Sequence, residues 1–321
     1  MDYSTIYKYG LSKLPDRLIE YSGGSFYNIM GKLFPQKHSQ NMYIEKLDTY
    51  ISYPWGLASG WADSYIKMLS IKKLGAGIVF GKTITFLPKK GNPYPRLVRD
   101  PKKKWLINSM GLPNYGLIQW IRWLKKNGKL PFGCFLSVKG DTGYEWKVMI
   151  NSLSQYTDLI ELNVSCPNVS IGILDKDKTI RLIKSILRST KNTNISLKIS
   201  SEYSTDQILD LLKSLDIEND NISGISLFNT YPIEHQRLGN KQKIGGLSGP
   251  ILYPKLLKTV KLIRESYSYN DLLIFAMGGI DDIQKIKNLW DNFRAFPLIL
   301  TAFLTEGPFI FKNFIDKGLG E

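Results

Sequence analysis

Short apolar runs that read as buried strands alternate along this chain with amphipathic helical segments, and that alternation constrains the fold more than any single motif. Phe132 to Val138, Asp158 to Val164, Ile195 to Ile199, Ile222 to Phe228 and Pro297 to Thr301 each have the aliphatic density of a strand covered on both faces. Between them, Leu117 to Leu124, Thr179 to Leu187 and the set Ile208, Leu209, Leu212 and Leu215 repeat at helical spacing, with Thr205 placed to cap the last. Strands alternating with helices build a parallel sheet. At 321 residues the length suits one α/β domain, a (β/α)8 TIM barrel with a small N-terminal helical appendage. The expected division is 1–45 for the appendage and 46–321 for the barrel.

Such barrels keep their chemistry at the carboxyl ends of the strands. There the run from Asp158 to Asn168 delivers Asn163, Ser165, Cys166 and Asn168, with Pro167 stiffening the backbone after the thiol. A lone cysteine is commonly an inert core thiol, but the order Asn-x-Ser-Cys-Pro-Asn is far more specific. Tyr53 to Gly60 ends in Ala58, Ser59 and Gly60, small enough for flat rings to approach the backbone. Gly75 to Thr85 reads as a strand ending in Lys82 and Thr83. It leads into the turn-rich loop Gly91-Asn92-Pro93-Tyr94-Pro95-Arg96. Ile107 to Asn114 sets amides around Gly111, although by itself it reads as a plain loop. Lys198 falls among apolar neighbours, where an ammonium needs a partner unless its head snorkels to the surface. Gly245 to Gly249 and Ala276 to Ile280, expected after the seventh and final strands, put glycine amides near predicted helix starts, where phosphates bind.

Composition sets outer bounds. Two cysteines, Cys134 and Cys166, are too few for a disulfide framework or a four-thiolate cluster, so a reducing setting is expected; no metal site is. Cys134, on the third strand, is expected to be a core thiol. No apolar run is long enough to span a bilayer, and the N-terminus lacks a secretory layout. The net charge of +15 could attract nucleic acid, an anionic membrane or an acidic substrate, or simply reflect a lysine-rich proteome, since the lysines are scattered. Before residue 45, Tyr3, Ile6, Tyr7, Leu11 and Leu14, then Phe26, Ile29, Met30, Leu33 and Phe34, form two short apolar faces. They either cap the barrel or rest on a membrane.

The Asn163 to Asn168 motif, together with the later motifs in their order, resembles the dihydroorotate dehydrogenase family, from the first residues to the last helix. That resemblance implies an FMN-dependent oxidation of dihydroorotate to orotate. It implies FMN contacts from Ala58, Ser59, Gly60, Lys82, Thr83, Ser137, Asn163, Lys198, Gly249, Gly278, Gly279, Thr301 and Ala302. It implies pyrimidine contacts from Lys82, Asn108, Met110, Gly111, Leu112, Asn163, Asn168, Asn229 and Thr230. Cys166 would be the base that removes the proton beside the carbonyl while a hydride leaves from the neighbouring carbon. A thiol suits this role because cationic surroundings lower its pKa.

The cysteine base and Lys82 are similar to the soluble branch of the family. The N-terminal helices, Gly91 to Arg99 and Gly245 to Gly249 resemble the quinone-reducing branch. Where that branch carries a lysine after the first glycine-bearing loop, this chain has Trp61-Ala62-Asp63, and Phe293 to Phe296 replaces a usual glycine-alanine step. The acceptor is therefore expected to be a quinone, a soluble molecule or a partner subunit. A homodimer, a cytoplasmic location with peripheral membrane contact through the N-terminal helices, and no nucleic-acid partner complete the expectation. Competing readings are a pyrimidine reductase, which would have histidine at Asn168, a tRNA dihydrouridine synthase, and a barrel retained only for binding.

Overall fold

The computed structural model describes residues 28–36, 42–100, 102–164, 176–190, 193–215, 217, 222–307 and 309–317. Ser165, Cys166, Pro167 and Asn168 lie outside the described residues, as does everything before residue 28. Eight parallel strands close into a barrel: β1 (Gly56–Ala62), β2 (Ile78–Gly81), β3 (Cys134–Lys139), β4 (Ile160–Leu162), β5 (Ile195–Ile199), β6 (Ile222–Leu227), β7 (Leu273–Met277) and β8 (Ala295–Ile299). Each strand pairs with its neighbour in sequence, β8 pairs with β1, and the expected TIM barrel is what forms.

Helices α1 (Tyr65–Lys73), α2 (Gly116–Asn127), α3 (Gly143–Leu153), α4 (Lys176–Ser189), α5 (Thr205–Ser214), α6 (Tyr253–Ser266), α7 (Ile283–Phe293), α8 (Thr301–Glu306) and α9 (Ile310–Asp316) follow the strands. Side chains alternate along each strand. One set (Leu57, Val79, Leu136, Ile160, Leu162, Leu197, Ile225, Ile274 and Ile299) packs outward against the helices. The other fills the barrel with Phe80, Phe135, Phe275 and Phe296, whose rings meet edge-on or stacked at 5.1–6.0 Å. A hairpin of Met42–Ile44 and Thr49–Ile51 closes the floor, burying Ile44, Leu47 and Ile51 against this inner core; residue 45 falls inside it.

A four-stranded antiparallel sheet not anticipated from the sequence adds Tyr231–Glu234, Ile244–Ser248, Trp105–Asn108 and Leu97–Asp100. It draws two strands from the β2–α2 connection and two from the β6–α6 connection. Three local expectations are corrected. Ser204, not Thr205, caps α5: its backbone is extended, its hydroxyl accepts from Gln207 N, and the Gln207 side chain returns to Ser204 N. Gly245 and Gly246 do not follow the seventh strand but lie in the antiparallel sheet before α6, while Gly278 and Gly279 follow β7, not the last strand. The last strand ends at Ile299, and Thr301 already opens α8.

Candidate active site

Polar groups gather where the barrel strands stop and the antiparallel sheet begins. Ala58, Ser59, Gly60, Lys82, Thr83, Asn108, Met110, Gly111, Leu112, Asn163, Lys198, Asn229, Thr230, Gly249, Gly278, Gly279, Thr301 and Ala302 all line one cavity of about 460 Å³. That is within the range of small-molecule sites, roughly 300–1,000 Å³. Ser137 stands one bond behind. It is fully buried, absent from the lining, and its hydroxyl pairs with Thr83 Oγ1 at 3.0 Å. Asn163 Nδ2 donates to the same Thr83 oxygen at 2.9 Å, so one hydroxyl ties together the ends of β2, β3 and β4.

The antiparallel sheet supplies the opposite wall. Asn108 pairs with Gly246 in register, and its Nδ2 donates to Gly246 O at 3.3 Å. Gly246 is required there, since a Cβ would fall 1.8 Å from Thr230 Oγ1. The loop from Ser109 to Leu112 is held by Asn92, itself a lining residue, whose Nδ2 donates to Ser109 O and whose N donates to Met110 O. Buried Arg96 steadies that support, donating to Lys90 O at 3.0 Å and lying over the Tyr94 ring. Thr301 Oγ1 donates to Ser248 Oγ at 2.8 Å, fastening the end of β8 to this sheet.

Three backbone segments converge at the glycine end of the cavity. A Cβ on Gly249 would lie 2.6 Å from Lys104 O, and one on Gly279 would lie 2.8 Å from Gly249 O; both glycines have positive φ. Lys104 sits beside Asp281 at 3.5 Å and Glu306 at 3.3 Å, which raise its pKa against the opposing effect of burial. A cradle this close, with nearby hydroxyls and an ammonium on β5, fits the phosphate and ring of a flavin.

The partner that Lys198 needs is Glu161, a residue that strand patterning passed over. Lys198 Nζ donates to Ser59 Oγ at 2.6 Å, Ser59 Oγ donates to Glu161 Oε1 at 2.9 Å, and the two charges stand 3.7 Å apart. Lys198 is 5% exposed and Glu161 0%, so the snorkelling alternative does not hold. Asp63 pairs with Lys67 on α1 at 2.9 Å, and Lys67 is not among the cavity lining. Cys134 is the core thiol expected, pushed up to about 11 by burial. Among the described residues no group of side chains could hold a metal ion, and no helix is long and apolar enough to cross a membrane.

The family model for dihydroorotate dehydrogenase matches residues 46–320. The chain is 26% identical over 276 residues to a dihydroorotate dehydrogenase (quinone) of Nitratiruptor, covering 84% of this chain and 77% of that one. It is 30% identical over 259 residues to the catalytic subunit of dihydroorotate dehydrogenase B (NAD(+)) of Caldicellulosiruptor saccharolyticus, covering 75% and 80%. A crystal structure of DHODH from Eimeria tenella in complex with ferulenol superposes with a TM-score of 0.78 at 21% identity, covering 97% of this chain and 93% of that one.

Proposed function

The chain belongs to the dihydroorotate dehydrogenase family, and on that premise we propose that it oxidises dihydroorotate to orotate in pyrimidine synthesis with FMN bound at the barrel mouth. Members of the family are flavin-dependent oxidoreductases. The observation that carries the reading is the convergence of Lys82, Asn108, Asn163, Lys198, Asn229 and the Gly249, Gly278 and Gly279 backbone on one cavity.

FMN, when bound, supplies the acceptor for the hydride that leaves the substrate. Gly249, Gly278, Gly279 and Thr301 would hold its phosphate, and Lys198 would face its ring. Asn108, Asn163 and Asn229 would hydrogen-bond the planar pyrimidine, joined by Asn168. Buried amides are costly unpaired, which makes such a belt selective for a ring with matching donors and acceptors. Lys82 would pair with the carboxylate. In this reading Cys166 accepts the substrate proton; it and Asn168 lie outside the described residues. The exposed apolar side chains Ile29, Leu33 and Phe34 support a peripheral membrane contact for this segment, the setting a quinone acceptor needs.

The test is anaerobic addition of dihydroorotate to the purified yellow protein, followed by a quinone, fumarate or NAD⁺. Bleaching is expected, and the acceptor that restores the colour identifies where the electrons go. A yellow protein that dihydroorotate leaves unbleached refutes the substrate; a protein that takes up no flavin refutes the flavin site.

A further inference from the structure

The barrel interior is mainly apolar on one side and carries a polar row on the other, with Phe135 of β3 and Ser59 of β1 crossing the division. Strands β7, β8, β1 and β2 turn Phe275, Phe296, Leu298, Ala58 and Phe80 inward. Strands β3, β4, β5 and β6 turn Ser137, Glu161, Ser196, Lys198 and Ser226 inward in matched registers, with the Ser196 and Ser226 hydroxyls 3.1 Å apart. Within the polar row, Lys198 reaches the cavity and Glu161 does not.

Resting on the proposed flavin site, we infer that Glu161 is a positioning residue that fixes the place and the effective charge of Lys198 and thereby holds down the reduction potential of the bound flavin. Three features support this. Glu161 and Lys198 are buried together, so the carboxylate offsets a cation that would otherwise stand alone in a low-dielectric core. Ser59 is the bridge, accepting from Lys198 and donating to Glu161, and it aims the ammonium. An ammonium has three donors, and the bond to Ser59 uses one, leaving donors for what occupies the cavity.

The third feature is that Glu161 Oε2 is buried with no hydrogen-bond partner among the described residues. A carboxylate kept there at the cost of an unpaired oxygen is poorly explained by stability alone, since buried acceptors are ordinarily satisfied. Its charge is what the arrangement retains. A lone ammonium beside the flavin would favour the electron-rich reduced form strongly; a carboxylate 3.7 Å behind it cancels part of that field.

The experiment equilibrates the flavin-loaded protein with a redox dye of known potential and reads the oxidised fraction of each. In Glu161→Gln the equilibrium is expected to move about tenfold toward reduced flavin, about 30 mV for a two-electron couple. In Glu161→Asp, which restores the charge, it should return most of the way. In a Lys198→Met background, Glu161→Gln should move it by a different amount, because its effect passes through the ammonium. A shift within twofold of wild type in Glu161→Gln overturns the inference, as does an equal shift with and without Lys198. Where Glu161→Gln fails to fold, Ser59→Ala decides: it keeps both charges but frees the ammonium, and an unmoved potential overturns the inference. Wild-type protein that binds no flavin overturns the functional reading as well. Flavin binding with an unmoved potential overturns only the role of Glu161.

Discussion

Gly279→Ala and Gly128→Ala separate a binding role from ordinary turn geometry. Both glycines lie at positive φ, +76° and +83°, Gly128 with ψ −167° in a region essentially confined to glycine, and an L side chain at such positions costs about 1–3 kcal/mol. For Gly128, beyond the end of α2, that is the whole cost, since an added Cβ meets nothing within 4 Å. For Gly279 the Cβ would stand 2.8 Å from Gly249 O, 2.8 Å from Tyr253 N and 3.0 Å from Pro250 O, all backbone atoms that cannot rotate away. The Gly249 to Tyr253 turn must therefore shift, and that turn is one wall of the proposed phosphate cradle. Thermal unfolding should drop by about 2–4 °C for each kcal/mol of strain in Gly128→Ala, and by more in Gly279→Ala. FMN titration, followed by quenching of its fluorescence, should show at least a tenfold weaker dissociation constant in Gly279→Ala alone, or about 1.4 kcal/mol. If Gly279→Ala loses stability and still binds FMN as wild type does, the Gly279 backbone holds no phosphate.

Cys166→Ser should slow the bleaching of bound flavin by dihydroorotate about 10²-fold or more near neutral pH, with FMN retained; an unchanged rate across pH removes Cys166 as the base. Lys82→Ala should weaken dihydroorotate binding by about tenfold or more in a titration of the oxidised protein, and unaltered affinity would exclude Lys82 as the carboxylate partner. Arg264 donates to Phe293 O and Leu272 O, each at 2.7 Å, and to Ser268 O at 2.9 Å, tying α6 to the ends of β7 and α7. Arg264→Ala should cost about 3 kcal/mol in urea unfolding without changing flavin affinity. Cys134 rises from 9.0 to about 11 on burial, so its contribution is fully present below pH 9 and lost as pH rises through about 11. Between pH 8 and pH 10.5 that is about 2 kcal/mol of alkaline destabilisation, by which the stability of wild type in urea unfolding should fall further than that of Cys134→Ala.

The barrel and part of the cavity lining are legible in the sequence because each strand announces itself by an apolar run and several site residues stand where such a run stops. Asn163 follows β4, Thr83 follows β2, Asn229 follows β6 and Gly278 follows β7. The antiparallel sheet is harder to read. Its strands come in pairs from two distant connections, and the pairing of Asn108 with Gly246 spans more than a hundred residues, so no local window contains it. Leu97–Asp100 and Tyr231–Glu234 are short, and Pro232 weakens the strand signal of the second. The role of Gly245 and Gly246 is misjudged for the same reason: a glycine pair before a helix suggests a phosphate loop, whereas Gly246 is small because Thr230 occupies the space its side chain would need.

Glu161 is the more instructive miss. Counting apolar residues along β4 treats it as an interruption between Ile160 and Leu162, yet the same alternation recurs on β5, where Ser196 and Lys198 interleave with Leu197 and Ile199. In an open sheet a polar face on period two points to water. In a closed barrel with helices around it the outer face is the apolar one, so polar residues on that period point inward and must satisfy each other. Once Lys198 is placed inside, a counter-charge on the adjoining strand is required rather than optional, and Glu161, in register with Ser196 on that strand, is positioned to provide it. A lysine and a glutamate on neighbouring barrel strands, each between aliphatic residues, therefore constitute a readable signal for a buried ion pair beneath the mouth of the barrel.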